Sequence, residues 1–163
     1  MTTKQPWGLY ALVCAAVTAL DQWLKAWVSA NIPLDPLPSE QAALLPGVIH
    51  LSHIHNAGVA FGMLQGGRWG FVALLGAFGA LVVWALAKGK LTTPWERWLA
   101  VLALGGALAN GIDRVRFGYV VDMFEVEFMR FAVFNLADSV ICVAAFLYAV
   151  LTLLKKEDRS PRT

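Results

Sequence analysis

The sequence predicts an all-α integral membrane protein, four transmembrane helices with a small extracytoplasmic β-containing cap, and three observations lead there. Of 163 residues, 58% are hydrophobic and 15% charged, with mean hydropathy +0.61, so a soluble domain of this size would expose too much apolar surface. Apolar runs occupy residues 7–30, 69–87, 98–112 and 131–154, and the first, at about 1.5 Å per helical residue, is long enough to cross a hydrocarbon core of about 30 Å. Two longer polar stretches, 31–68 and 113–130, separate them and contain short alternating segments that suit strands. The whole chain, 1–163, reads as one membrane domain.

The first run is interrupted only by Asp21 and Lys25. Lys4, the apolar run and Val28-Ser29-Ala30 mimic the three regions of a secretory signal peptide, but an ion pair would burden the cleavage region and three further spans follow. Cys14 is not a lipobox cysteine, because the preceding Val13 is not small. Asp21 and Lys25 stand at i and i+4 with the acid first, the favourable order for a helical salt bridge, so the pair is expected to steady the helix or to anchor lipid headgroups or partner residues. Cys14 and Cys142 both lie in apolar runs, where a small hydrophobe is the simplest reading.

After the first run, Pro33, Pro36, Pro38 and Pro46 break regular structure, and residues 48–55 alternate as a short strand would. His50, His53 and His55 lie here without an HExxH motif or a second ligand cluster, so no metal is expected and surface or interfacial histidines are the reading. Asn56-Ala-Gly58-Val-Ala-Phe-Gly62 follows, small residues around one amide in which the glycines permit close backbone approach. The second run is uncharged, with Trp69 and Trp84 near its ends as interfacial aromatics, and 88–97 form a short basic loop. In the third run Gly105, Gly106, Ala107 and Ala109 supply a small surface for close helix packing.

Polar groups then cluster at particular places. Asn110, Asp113 and Arg114 share one helical face where the third run ends. Residues 119–128 look strand-like, and alternation places Asp122 on the face of Phe124, Val126 and Phe128, where desolvation raises a carboxyl pKa. Asn135 and Asp138, at i and i+3, open the fourth run on one face, although an acid there also suits the helix dipole with no further role.

Four spans put both termini on one side. That side holds Lys4, Lys88, Lys90, Arg97, Lys155, Lys156, Arg159 and Arg162, against Arg68, Arg114, Arg116 and Arg130 on the other, so the positive-inside rule places the termini in the cytoplasm and both long loops outside. Asn56, Asn110, Asp113, Arg114, Asp122, Asn135 and Asp138 then converge at one membrane depth on the external face. A net charge of +2 without a polybasic run away from the C-terminus argues against nucleic acid.

Two acids with no catalytic cysteine, serine–histidine–acid set or HExxH suggest acid–base activation of water. If Asp122 and Asp138 approach to about 4 Å, their repulsion at an effective dielectric near 20 is about 4 kcal/mol, or roughly 3 pK units, so one holds a proton while the other is ionised. A proton-coupled transporter is the competing class, but its acids would lie near mid-membrane and its loops would be short. A purely structural adaptor leaves the convergence of acids and amides unexplained.

These residues resemble the bacterial lipoprotein signal peptidases (signal peptidase II), membrane aspartic proteases. The resemblance rests on Asp21-Gln-Trp-Leu-Lys25, Asn56-Ala-Gly-Val-Ala-Phe-Gly62, Gly105-Gly-Ala-Leu-Ala-Asn-Gly-Ile-Asp-Arg114, Val121-Asp122-Met-Phe124 and Phe134-Asn-Leu-Ala-Asp138, in the family's order over almost the whole chain. It implies Asp122 and Asp138 as the catalytic dyad, with Asn56, Gly58, Asn110, Asp113, Arg114 and Asn135 supporting the site or binding substrate and Asp21 and Lys25 accessory. It also implies a multi-pass protein of the bacterial inner membrane, acting as a monomer without cofactor among membrane phospholipids. Its substrate would be a diacylglyceryl-modified prolipoprotein, cut just before the lipidated cysteine. Arg114 or Arg116 would hold the carbonyl or a headgroup, and the two external loops would cover the site.

Overall fold

The computed structural model describes residues 5–38, 41–58 and 68–157. Val59 to Gly62 of the Asn56 block, together with Lys4, Arg159 and Arg162 of the charge count, lie outside them. The described residues form α1 (Trp7–Asn31), β1 (Ala42–Leu45), β2 (Ile49–Asn56), α2 (Arg68–Ala87), α3 (Pro94–Arg116), β3 (Val120–Val126) and α4 (Leu136–Glu157). Among them, these four helices are long and apolar enough to cross a membrane. Leu12, Trp23, Leu74 and Phe146 are each more than 60% exposed, a surface that only lipid makes inexpensive.

Helix α3 is the hub: α1, α2 and α4 all pack on it, and the backbone of α2 approaches no other described element. Small residues make this possible. A Cβ on Gly105 would stand 3.0 Å from Val17 Cβ, and one on Gly106 would stand 2.7 Å from Ala137 O. The α1–α3 seam carries a ladder of side-chain donors: Cys14 Sγ to Val101 O (3.2 Å), Thr18 Oγ1 to Gly105 O (3.0 Å) and Gln22 Nε2 to Ala109 O (3.3 Å). The constant offset of 87 residues means that the two helices run parallel. Below it, Tyr10, Cys14, Val82, Leu86 and Val101 form an apolar core.

Two helix ends differ from the expected spans, each for a local reason. α3 begins at Pro94 rather than near residue 98, because Thr93 and Glu96 make a capping box with proline in the first turn, and Glu96 also binds Lys155 at 2.9 Å. It runs on to Arg116, where two arginines favour the negative end of the helix dipole. α4 begins at Leu136 rather than near 131, because Phe134 is held in extended pairing: its carbonyl accepts from Met123 N (2.9 Å) and Phe124 N (2.7 Å).

The sheet is antiparallel in the order β1-β2-β3, with Ile54 opposite Asp122 and Asn56 opposite Val120. β1 was not expected from the proline-rich stretch. β3 stops at Val126, short of the anticipated Phe128, and its alternation fails: Val120, Val121, Asp122 and Met123 are all buried, because the first half of the strand is covered on both faces. A register shift between Leu51 and Ile54 turns buried Ser52 and His53 out of the regular pairing. His53 then ties the sheet to the end of α1 through Ile32 O (3.0 Å) and Ser29 Oγ (3.3 Å), and Met123 packs with Val28 and Ile32.

Gly106→Ala must push the first turn of α4 away from α3, so it is expected to cost about 1–3 kcal/mol and to lower the unfolding temperature in detergent. Gly76→Ala, where a Cβ meets nothing within 4 Å, is expected to leave it unchanged or raised; equal behaviour of the two variants contradicts the close-contact account.

Candidate active site

At the end of the bundle where α1 and α3 finish and α4 begins, the polar residues anticipated from different segments meet. Asp21 and Asn135 are 0% exposed, Asp113 and Asp122 1%, Lys25 3% and Asn110 5%. Buried charge and amide must be paired to be tolerated, and here the pairing is nearly continuous.

Its first half is ionic. The Lys25 ammonium lies 2.7 Å from Asp21 Oδ2, 2.7 Å from Asp113 Oδ2 and 2.9 Å from Asn110 Oδ1. Asp21 Oδ1 accepts from Ala137 N at 2.9 Å, and Asp113 also accepts from Gln22 Nε2 (2.6 Å) and Val121 N (3.4 Å). The expected i,i+4 pair therefore exists, but its partners are protein rather than lipid headgroups, because it is enclosed by α1, α3 and the start of α4. Gln22 was not anticipated. The signal for it was present in the four-residue spacing Cys14, Thr18, Gln22, which lays one hydrogen-bonding edge along α1.

Its second half is an amide relay between two carboxyls. Asn135 Nδ2 donates to Asp122 Oδ1 (2.7 Å) and to Asn110 Oδ1 (3.2 Å), and Asn110 Nδ2 donates to Asp138 Oδ1 (2.7 Å). Asn56 Nδ2 reaches Asp122 Oδ2 at 2.8 Å, and its own Oδ1 accepts from Gly58 N at 3.1 Å, the local turn that Gly58 closes. Asn135 does not share a helical face with Asp138 as the i,i+3 spacing implied. It precedes α4 and caps it, accepting from Asp138 N at 2.9 Å, while Asp138 Oδ2 accepts from Asn135 N at 3.4 Å in the manner of a capping box.

The two acids sit in different surroundings. Asp138 is half-buried, whereas Asp122 is enclosed. Burial pushes the Asp122 carboxyl up to about 6 and the nearby Asp138 charge adds to this, against the Asn56 and Asn135 hydrogen bonds and the Lys25 charge, which act the other way. Arg114 leans over the Phe71 ring at 4.9 Å with Nη2 3.4 Å from Gly58 O, in the field of Asp138, Asp122 and Asp113. Arg116 lies instead over Phe117. Of the three histidines, His53 and His55 meet edge-on with ring centroids 5.1 Å apart, while His50 faces Glu127 instead; His53 is also built into the sheet–helix joint and His55 stacks on Tyr119 at 3.8 Å. Cys14 and Cys142 are both free thiols.

A family model described as signal peptidase (SPase) II matches residues 13–154. A lipoprotein signal peptidase of Streptococcus thermophilus is 39% identical over 145 residues, covering 89% of this chain and 92% of that protein. One from Streptococcus pyogenes is 35% identical over 150 residues, covering 92% and 95%. The fold is also that of a bacterial membrane enzyme solved by the in meso method at 2.3 Å, with TM-score 0.88 at 24% identity over 100% of this chain and 98% of that one. Four apolar helices, the small antiparallel sheet and these matches agree, and the chain belongs to the signal peptidase II family.

Proposed function

We propose that this protein removes signal peptides from diacylglyceryl-modified prolipoproteins as an aspartic endopeptidase, with Asp122 and Asp138 as its dyad and cleavage just before the lipidated cysteine. The observation that carries the reading is the amide relay. Two carboxyls from separate elements are joined through Asn135 and Asn110, one enclosed and one half-open, at one end of a membrane bundle. A structural ion network needs no such pair of acids without a cation between them.

The chemistry follows from two carboxyls sharing one proton. The ionised carboxyl takes a proton from a water whose oxygen attacks the scissile carbonyl carbon, while the protonated carboxyl donates to the carbonyl oxygen. The tetrahedral species then collapses: the C–N bond breaks, the leaving nitrogen takes a proton from the dyad, and the products are a peptide carboxylate and a free amine on the lipidated cysteine. Amide N–H groups from Asn56, Asn110 and Asn135 keep the carboxyl oxygens aimed. Arg114, near the Gly58 carbonyl, is suited to hold a substrate carbonyl at the same mouth.

The dyad faces the external side if the basic ends are cytoplasmic. Lys88, Lys90, Arg97 and Lys155 belong to the end opposite the dyad, and Arg68, Arg114 and Arg116 to the dyad end, so the positive-inside rule sets both termini in the cytoplasm. A lipid-bearing substrate would then arrive laterally, its acyl chains among the helices and its peptide bond at the interface. This reading assigns a monomer of the bacterial inner membrane, its apolar flanks in contact with phospholipid, and no cofactor.

Asp122→Asn and Asp138→Asn are each expected to abolish cleavage of a diacylglyceryl-prolipoprotein by purified enzyme at equal folded amount, by at least about 10³-fold; full activity in either variant removes that residue from catalysis.

The pH dependence has a definite sign. Asp122 rises from 3.8 to about 6 on folding, so its contribution to stability is complete below about pH 4 and is lost as pH rises through 6. Two units correspond to about 3 kcal/mol. Wild-type unfolding temperature in detergent should fall between pH 4 and 7, and Asp122→Asn should flatten that slope. Because the dyad needs its proton, kcat/KM of the wild type should decline as pH rises past about 6; an unchanged rate and stability from pH 5 to 8 would contradict the assignment.

A further inference from the structure

Lys25 touches neither acid of the dyad, yet it donates to Asn110, one of the two amides that join them. An ammonium has three protons and no acceptor. Two of its contacts are ion pairs with the Asp21 and Asp113 carboxylates at 2.7 Å, and its hydrogen bond goes to Asn110 Oδ1 at 2.9 Å, all on a side chain only 3% exposed. Asn110 Oδ1 also accepts from Asn135 Nδ2 at 3.2 Å, which fills both of its lone pairs. Asn110 must therefore turn its NH2 toward Asp138. A flipped Asn110 would set NH2 against the ammonium and against Asn135 Nδ2, and an amide oxygen against the Asp138 carboxylate. Asn135 is held in the same sense from its other end, where its Oδ1 accepts from Asp138 N.

We propose that Lys25 is a positioning residue: as a buried group that can only donate, it fixes the direction of the Asn110–Asn135 amide pair and so keeps N–H groups, rather than carbonyl oxygens, against Asp138 and Asp122. The proposal rests on the dyad reading above. It gives the buried ion group a task that helix stability alone does not require, since Asp21 and Asp113 could be satisfied by other partners whereas the amide direction needs a donor facing Asn110 Oδ1. The charged groups that face Lys25 are Asp21 on its own helix and Asp113 on α3, and those that act on Asp122 are Asp138 and Lys25, with Arg114 beside them.

The test uses the full chain in detergent–lipid micelles with a diacylglyceryl-prolipoprotein substrate. Lys25→Met is expected to lower kcat by about 10–100-fold with KM nearly unchanged, as a misaimed reacting group does. With the Lys25 charge gone, the alkaline limb of the rate profile should move to higher pH. Lys25→Gln, which keeps an N–H for Asn110, is expected to recover part of the lost kcat.

Because Lys25→Met leaves two buried carboxylates without their cation, it can fail to fold. The neutral set Asp21→Asn, Lys25→Met, Asp113→Asn removes the three charges together, a change that buried ion groups generally tolerate. If the ion group serves stability alone, the folded triple variant regains wild-type kcat, and that result overturns the proposal. If it positions the amides, the triple variant folds and remains slow. Wild-type kcat and an unmoved pH profile in folded Lys25→Met also overturn it. Failure of the dyad reading would show separately, as retained activity in Asp122→Asn or Asp138→Asn.

Discussion

Three charges drawn out of water, the Lys25 ammonium between the Asp21 and Asp113 carboxylates, set the terms for this end of the molecule. Removing such ions from water costs several kcal/mol each, and the cost is offset by close opposite charges and hydrogen-bond partners. Meeting them needs α1 for Lys25 and Asp21, α3 for Asp113 and Asn110, the first turn of α4 for the Ala137 N–H, and the start of β3 for the Val121 N–H. Four elements are thereby brought into register at one depth. The close approach that this register demands explains why Gly105 and Gly106, where side chains would meet backbone or Cβ atoms, lie one to two turns below the charges.

The remaining polar groups extend that registered cluster toward the open end. A strand supplies Asp122, enclosed by its neighbours, and a helix N-terminus supplies Asp138, which is half-buried. These elements do different physical work. The strand is held by β2 on one side, by the Phe134 bridge, and by Met123 packed on the end of α1, so Asp122 has little freedom and a desolvated carboxyl. The helix start is held by the Asn135 cap, which fixes the first turn and at the same time donates to Asp122. One amide side chain thus couples the termination of the extended segment, the start of α4 and the spacing of the two acids. α2 and α3 together line an apolar groove that includes Val72, Leu75, Leu108 and Val115.

Much of this is legible in the sequence. Composition and run lengths specify a four-span membrane protein, because apolar surface of that amount has only one inexpensive solvent. The polar residues that matter were also visible, since an amide or acid at a membrane helix end stands out against its surroundings. Asn56, Asn110, Asp113, Asp122, Asn135 and Asp138 do meet, together with Asp21 and Lys25. What misled local reasoning was periodicity at junctions. Alternation assigned Asp122 to one apolar face, yet both faces of early β3 are covered; helical spacing put Asn135 on a face of α4, yet it caps that helix. The Thr93–Glu96 capping box that starts α3 was readable as a pattern and lay outside the apolar run.

Sequence by itself determined which polar groups are available and that they gather at the ends of apolar spans, because hydrophobic length and the cost of burying polar groups act residue by residue. Tertiary structure alone decided who pairs with whom. The offset of 87 residues that sets Gln22 on the Ala109 carbonyl, the passage of Lys25 to Asn110 on another helix, and the direction of each amide depend on how helices dock. Hydrogen-bond polarity is a property of the assembled network, where each donor must find an acceptor that no other donor has filled, and a linear pattern of residues carries no record of it.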